Sequence, residues 1–382
     1  MAASVPVFPE RENPDWDAEV ADMADWALRS SSKTAIDRAG LSLVDWWRTP
    51  SGTPFPPGMW VVTENWRNCH GLPLSRVRRD LRARMRQLEM KGIVAYRLKR
   101  FVSVLMKLVR EPTMKLSQMQ DLGGCRAILN SIEDVNRLYD SYRSVNASQY
   151  IRRQDNRYFD YLSDPKEDGY RGIHVVCRFS AYRNTYNPWD GQRIEIQIRT
   201  KLQHAFATAV ETVTTFSSSP LKFGAGPKDW RRFFSLVGSA FAFQERTALV
   251  PKTPTNYEAL VGEIRLYARR LDVRRKLEHW REMLRAAPQV DTKGFSWLLL
   301  SLNLKDNTVS VTGFKENELA RNAIAEREKA IAAGAQEDAV LVSVNSLGEL
   351  RAAYPNYYGD TRRFLKALKA VTSERFARRA RL

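Results

Sequence analysis

The stretch RIEIQIRT, residues 193–200, decides how this chain folds. Ile194, Ile196 and Ile198 alternate with Arg193, Glu195, Gln197 and Arg199, the period-two pattern of a strand with one apolar face and one row of charge and amide. Other short β-branched runs lie to either side, CRAIL at 125–129 and GIHVVCRF at 172–179, with helical stretches between and after them. The expected class is α+β, a mixed β-sheet flanked by helices.

Upstream, DWDAEVADMADWALRS (15–30), AIDRAGLSLVDWWR (35–48), GMWVVTENWRNCH (58–70) and VRRDLRARMRQLEM (77–90) each space apolar residues as helices do. Downstream, SSSPLKFGAGPKDW (217–230) reads as a turn-rich loop before the helix WRRFFSLVGSAFAFQER (230–246). VPKTPTN at 250–256 reads as a linker and 257–287 as one long charged helix bridging two domains. The expected domains are therefore 1–250, a connecting helix at 251–283, and a small α/β domain at 284–382 built from SWLLLSLNL, TVSVTGF, a helix near 316–333 and DAVLVSV.

The 382 residues and 43% hydrophobic content suit two or three domains with real cores. A formal charge of +18 calls for an anionic partner. Eleven cations against two acids fall between Arg76 and Lys107. Cys69, Cys125 and Cys177 are far apart, so neither zinc nor a disulfide framework is expected and a reducing cytoplasm fits. The acidic, proline-bearing start and the short apolar run WLLLSL lead us to expect neither a secreted nor a membrane protein.

Four segments carry chemistry. In YRLKRFVSVLMKLVR (96–110), Lys99, Ser103 and Lys107 are four apart, which predicts one helical stripe suited to polyphosphate, with Leu98, Phe101, Val102, Leu105 and Val109 on the buried side. QDLGGCRAIL runs Asp121 into two glycines, which permit close approach of a ligand, and then into a strand carrying Arg126. DYLSDPKEDGYRGIH is a loop holding Lys166, Tyr170, Arg171 and His174 ahead of a strand. The polar face of RIEIQIRT adds Glu195 and Gln197. Together they provide two carboxylates for Mg²⁺, cations for phosphates and a tyrosine to stack on a base, the parts needed for phosphoryl-type transfer.

In this order the segments resemble the RelA/SpoT alarmone-synthetase domain family, whose hallmarks stand here as Arg97-x-Lys99-x-x-x-Ser103, Asp121-x-x-Gly124-x-Arg126, DY…PK…GYRGIH at 160–174 and EIQIRT at 195–200. The resemblance spans roughly 60–215, and NWRNCHGLPL (65–74) with LQHAFATAVETVTTF (202–216) is similar to a subgroup found in toxin systems. It implies a nucleotidyltransferase-like synthetase domain that moves the β,γ-pyrophosphate of ATP onto a ribose 3′-hydroxyl. It also implies that Arg97, Lys99, Ser103 and Lys107 hold the ATP phosphates, that Arg126 stacks on adenine, and that Asp121 and Glu195 hold Mg²⁺. Glu195 would be the base, with Lys166, Tyr170, His174 and Gln197 binding the acceptor. Phe206 stands where tryptophan is usual and Thr212 where many alarmone synthetases have histidine, departures that concern the acceptor. None of the four histidines is followed by Asp, so the metal-dependent hydrolase motif of the bifunctional relatives is not expected.

Two acceptors follow from the resemblance: a guanosine or adenosine nucleotide, giving (p)ppGpp or (p)ppApp, or the 3′-terminal adenosine of tRNA. Arg76, Arg78, Arg79 and Arg82, just before the ATP segment, are the expected tRNA contacts. An inactive nucleotide sensor is a third reading, opposed by intact Asp121 and Glu195. Residues 284–382 resemble the antitoxin-like domain of CapRel-type fused toxin-antitoxin defence proteins. That likeness implies autoinhibition by Tyr354 and Tyr357, released when a phage protein, typically a capsid protein, binds; Tyr358 is assigned to the core.

Overall fold

The computed structural model describes residues 26–49, 56–144, 150–152, 156–216, 228–278, 294–303, 305–306, 308–343 and 361–373. Within them the chain runs α1 (Lys33–Arg48), α2 (Pro57–Asn68), α3 (Gly71–Gln87), β1 (Gly92–Leu98), α4 (Phe101–Arg110), β2 (Gly123–Leu129), α5 (Ile132–Arg143), β3 (Arg157–Asp160) and β4 (Ile173–Arg178). It continues through β5 (Arg193–Thr200), α6 (Lys201–Phe216), α7 (Lys228–Glu245), α8 (Tyr257–Arg270), β6 (Trp297–Asn303), β7 (Thr308–Phe314), α9 (Asn317–Ala332), β8 (Glu337–Ser343) and α10 (Arg362–Val371).

Five strands form one mixed sheet in the order β1-β2-β5-β4-β3, with β2 and β5 parallel and the other pairs antiparallel. Ile194, Ile196 and Ile198 are each fully buried on one face of β5, the middle strand. Against that face α3 packs Leu74, Val77, Leu81 and Met85, and α5 packs Val135, Leu138 and Tyr142. Helix α5 starts where the Ser131 hydroxyl accepts from the Asp134 N–H at 3.1 Å, with Glu133 and Asp134 at the positive end of the helix dipole. The opposite face of the sheet is left for polar side chains.

Strand β1 departs from the sequence expectation of a helix reaching back through Lys99. Gly92–Leu98 pairs residue for residue with Leu129–Gly123, and the helix begins only at Phe101, after Arg100 in an extended conformation. Lys99 therefore sits at the strand–helix junction while Ser103 and Lys107 ride on α4. Cross-strand pairing to a segment far along the chain outweighs local helical spacing.

A second sheet, β7-β6-β8, is antiparallel throughout, and α9 covers it through Ile324 against Leu299 and Ala339. Two features differ from the expected partition. Helix α8 ends at Arg270, inside the stretch expected as one long helix: Tyr257, Leu260, Val261 and Ile264 share one core with Phe233, Phe234 and Phe241 of α7, and the chain turns at Asp272, whose φ is 49°. Helix α10 returns to that same core through Phe364, Leu368 and Val371, instead of closing the small sheet.

Candidate active site

Register places the polar residues in two rows across the sheet. Arg97, Gly124 and Glu195 are in line on β1, β2 and β5, and one pleat further on Arg126, Gln197, His174 and Phe159 are in line on β2, β5, β4 and β3. Helix α4 supplies one wall, the 161–172 loop another, and α6 with α7 a third. The result is a cavity of about 410 Å³ whose lining includes Arg97, Lys99, Ser103, Lys107, Asp121, Arg126, Lys166, Tyr170, His174, Glu195 and Gln197. Every residue that the sequence singled out for ATP, metal or acceptor is thus in one place.

Asp121 is gripped from two sides, by Lys99 Nζ at 2.8 Å and Lys107 Nζ at 3.0 Å. Burial acts to raise its pKa, but the two ammonium groups hold it below the usual carboxylate range, against repulsion from Glu195. Among the described residues no three His, Cys, Asp or Glu side chains converge, so no all-protein metal cage is present. Two hard carboxylates on one cavity floor do suit Mg²⁺, which takes one or two protein oxygens and fills its remaining positions with phosphate and water.

Glu195 belongs to a hydrogen-bonded chain. Its Oε1 lies 3.0 Å from His174 Nδ1, its Oε2 accepts from Gln197 Nε2 at 2.7 Å, and His174 Nε2 is 2.7 Å from the Tyr170 hydroxyl. Burial opposes ionisation of both partners. The attraction to His174 nonetheless holds Glu195 down at about 2, and Tyr170 with Glu195 raises His174 to about 9. The centre therefore contains a fixed carboxylate–imidazolium pair near neutral pH.

The loop before β4 is built for its position. Asp160 Oδ1 accepts from the Leu162 and Ser163 N–H groups, and Asp168 Oδ1 from the Tyr170 N–H at 2.9 Å. Gly169 has φ 89°, and a Cβ there would lie 2.5 Å from the Phe234 carbonyl oxygen, so the loop docks directly on α7. Arg171 points away from the cavity into a buried pair with Glu245 at 2.9 Å.

The two glycines of the Asp121 segment do different things. A Cβ on Gly123 would meet Ile194 Cδ1 at 2.6 Å, so any side chain there must displace the buried Ile194. At Gly124 the nearest atom to a Cβ is the Glu195 carbonyl oxygen at 3.9 Å, so protein packing makes no such demand. The lack of a side chain leaves the cavity floor open between Arg97 and Glu195.

Several lining residues were not singled out as site residues from the sequence. Tyr161 stacks on Phe159 with centroids 6.3 Å apart and planes 13° apart, and Lys166 Nζ lies 4.4 Å from the Tyr161 ring centre. Tyr170 meets Tyr161 edge-on and has its hydroxyl engaged with His174 Nε2, so the flatter aromatic surface at this end is Phe159–Tyr161. Tyr161 stands in the quoted loop motif, where a second tyrosine was the available signal. Arg199 is 3% exposed, and burial together with nearby Arg126 lowers its pKa. Two like charges in one wall favour an anionic or stacking ligand between them. Phe206, which the sequence marks only as a departure from the family pattern, completes the helical wall with Arg231 and Phe234, and only packing of α6 on α7 reveals the last two.

The expected nucleic-acid contacts on α3 need correction. Arg76 is 1% exposed and lies 5.4 Å from the Tyr186 ring centre, so it cannot meet a phosphate outside the fold. Arg78 lies over the Tyr96 ring at 4.2 Å, while Arg79 is exposed and Arg82 half-buried. Helix α3 covers the sheet face opposite the cavity, so none of the four stands at its mouth. Arg84, in the same basic run, is also structural, pairing with Asp80 at 2.9 Å. Tyr354, Tyr357 and Tyr358 lie outside the described residues.

Residues 96–218 match the family model described as the region found in RelA / SpoT proteins. Over 110 residues the chain is 31% identical to the GTP pyrophosphokinase YwaC of Bacillus subtilis (strain 168), covering 27% of this chain and 49% of that protein. The chain thus spans about half the length of the curated relative it matches. Solved structures similar to it include small alarmone synthetase 1 from Bacillus subtilis bound to pppGpp, at 21% identity and TM-score 0.40 over 48% of this chain and 92% of that one. Another is a GTP pyrophosphokinase family protein from Streptococcus pneumoniae, at 22% identity and TM-score 0.38 over 47% and 87%. No helix among the described residues is long and apolar enough to cross a membrane.

Proposed function

We propose that the protein is an ATP pyrophosphokinase that transfers the β,γ-pyrophosphate of ATP to the 3′-hydroxyl of a purine nucleotide. The observation that carries this reading is the convergence of Lys99, Lys107 and Asp121 with Glu195, His174 and Arg126 in one cavity of a RelA/SpoT region. Arg97, Lys99, Ser103 and Lys107 would hold the triphosphate, and Arg126 with Arg199 the adenine end. Asp121 and Glu195 would hold Mg²⁺, which neutralises phosphate charge when bound. The acceptor base would rest on Tyr161 and Tyr170 beside Lys166. Glu195, fixed by His174 and Gln197, would orient the acceptor hydroxyl. A weak base suffices there, because that hydroxyl becomes strongly acidic as its bond to phosphorus forms.

Two acceptors have support. The net charge of +18 favours the 3′-terminal adenosine of tRNA, which would make the enzyme a toxin that blocks translation. The position of α3 on the back of the sheet, and the likeness to a GTP pyrophosphokinase, favour free GDP, GTP or adenosine nucleotides. Labelled ATP offered with tRNA, GDP and ATP together decides between them: label on tRNA alone establishes the first, label only in small nucleotides the second. Glu195→Gln should abolish transfer to either, and retained binding without transfer by the wild type would establish a sensor instead.

Autoinhibition through Tyr354 and Tyr357, and release by a phage capsid or other phage protein, complete the proposal. They are supported by the likeness of 284–382 to CapRel-type proteins. Induced full-length Tyr354→Ala/Tyr357→Ala protein should be more toxic in cells than the wild type; equal toxicity would refute the plug.

A further inference from the structure

Helix α4 has no cap of its own. Its N-cap residue is Arg100, which makes no side-chain cap bond, although the first N–H groups of any helix need acceptors. The acceptor comes from 227 residues further along: Glu328 Oε1, on α9, accepts from the Phe101 N–H at 2.8 Å. Glu328 is 1% exposed.

The same carboxylate binds Arg67, with Nη1 to Oε1 at 3.1 Å and Nη2 to Oε2 at 3.0 Å. Arg67 Nη1 also donates to the Lys99 carbonyl oxygen at 3.1 Å, and Nη2 to Glu64 at 2.6 Å. Two carboxylates face one guanidinium here; burial pushes the Glu328 pKa up to about 7 against the pull of Arg67, and the positive end of α4 favours its ionised form. Around this polar knot Ala332 of α9 packs with Leu43, Phe101 and Leu105. Both ends of the Lys99–Phe101 junction, the Lys99 carbonyl and the Phe101 amide, are thereby tied to one buried cluster that α9 completes.

We infer that Glu328 is a positioning residue for the phosphate grip: by capping α4 and anchoring Arg67 on the Lys99 carbonyl, the unit of β6, β7, α9 and β8 forms part of the built pocket. The link to ATP rests on the function proposed above, but the link from α9 to α4 does not. The unit then has a constructive role besides any inhibitory one, and a truncation after residue 283 would remove both at once. A point variant separates them.

The test uses full-length Glu328→Ala and Glu328→Gln, each first shown folded by circular dichroism. Hydrogen exchange without nucleotide should rise at the amides of Phe101–Leu105 in the alanine variant and much less in the glutamine variant, whose amide oxygen can still accept from Phe101. Calorimetric affinity for a non-transferable ATP analogue should fall about tenfold in Glu328→Ala, which loses the bonds to Phe101 and Arg67 together, and recover largely in Glu328→Gln. Affinity for the acceptor should change less than about twofold, which a general loss of stability would not produce. Unchanged exchange at α4 in a folded alanine variant overturns the inference whatever the pocket binds. Changed exchange with a wild type that binds no ATP analogue refutes the proposed pocket and leaves the coupling of α9 to α4 standing.

Discussion

His174 Nδ1 and Glu195 Oε1 face each other at 3.0 Å on neighbouring strands β4 and β5. The pair is buried, and although burial opposes both charges, their attraction, with Tyr170 beside His174, outweighs it. His174 is raised from an ordinary 6.5 to about 9, so its stabilising contribution is complete below about 6.5 and lost as pH rises through 9. Glu195 is held at about 2, so its contribution is present above the ordinary 4.5 and lost as pH falls toward 2. Melting temperature should therefore decline between pH 7 and pH 10 in the wild type. His174→Gln should be flatter over that window, and an equally steep decline in the variant would show that another group is responsible.

Lys107 and Lys99 share Asp121. Removing one ammonium leaves Asp121 half-compensated and takes a cation from the proposed triphosphate site. Lys107→Ala should weaken ATP-analogue binding by about 10- to 100-fold, matching about 1.5–3 kcal/mol for a charged hydrogen bond. Calorimetric titration measures it.

The adjacent glycines give a contrast that a general packing effect cannot mimic. Gly123→Ala drives a methyl into Ile194 and should lower stability by about 1–3 kcal/mol in denaturant unfolding. Gly124→Ala meets nothing closer than 3.9 Å, so it should unfold like the wild type while its methyl obstructs the floor and depresses ligand affinity.

Arg171 and Tyr170 are neighbours in one motif with opposite duties. Breaking the buried Arg171–Glu245 pair by Arg171→Ala should destabilise the fold by about 3–5 kcal/mol, because the carboxylate loses its only charged partner among the described residues and keeps just the neutral donors Gln203 and Thr200. Tyr170→Phe, which removes only the hydroxyl bonded to His174, should leave unfolding much closer to wild type and lower transfer activity.

The sequence by itself determined what depends on local spacing. The alternation around Ile196 specifies a strand with Glu195 and Gln197 on its polar face, and Ser103 and Lys107 fall on one stripe because four residues make about one helical turn. Asp121 followed by two glycines and a strand likewise named its own place. Only the tertiary structure decided what depends on partners distant in sequence. Pairing with β2 made a strand of Gly92–Leu98 and moved Lys99 off the helix. Packing against the isoleucines turned α3 to the back of the sheet and buried Arg76, which as a sequence letter was one more surface cation. Phe364 joined the core of α7, and Glu328 became the cap of a helix begun 227 residues earlier. Burial and hydrogen-bond satisfaction are properties of the assembled chain, and no spacing rule along the sequence encodes which distant group will supply them.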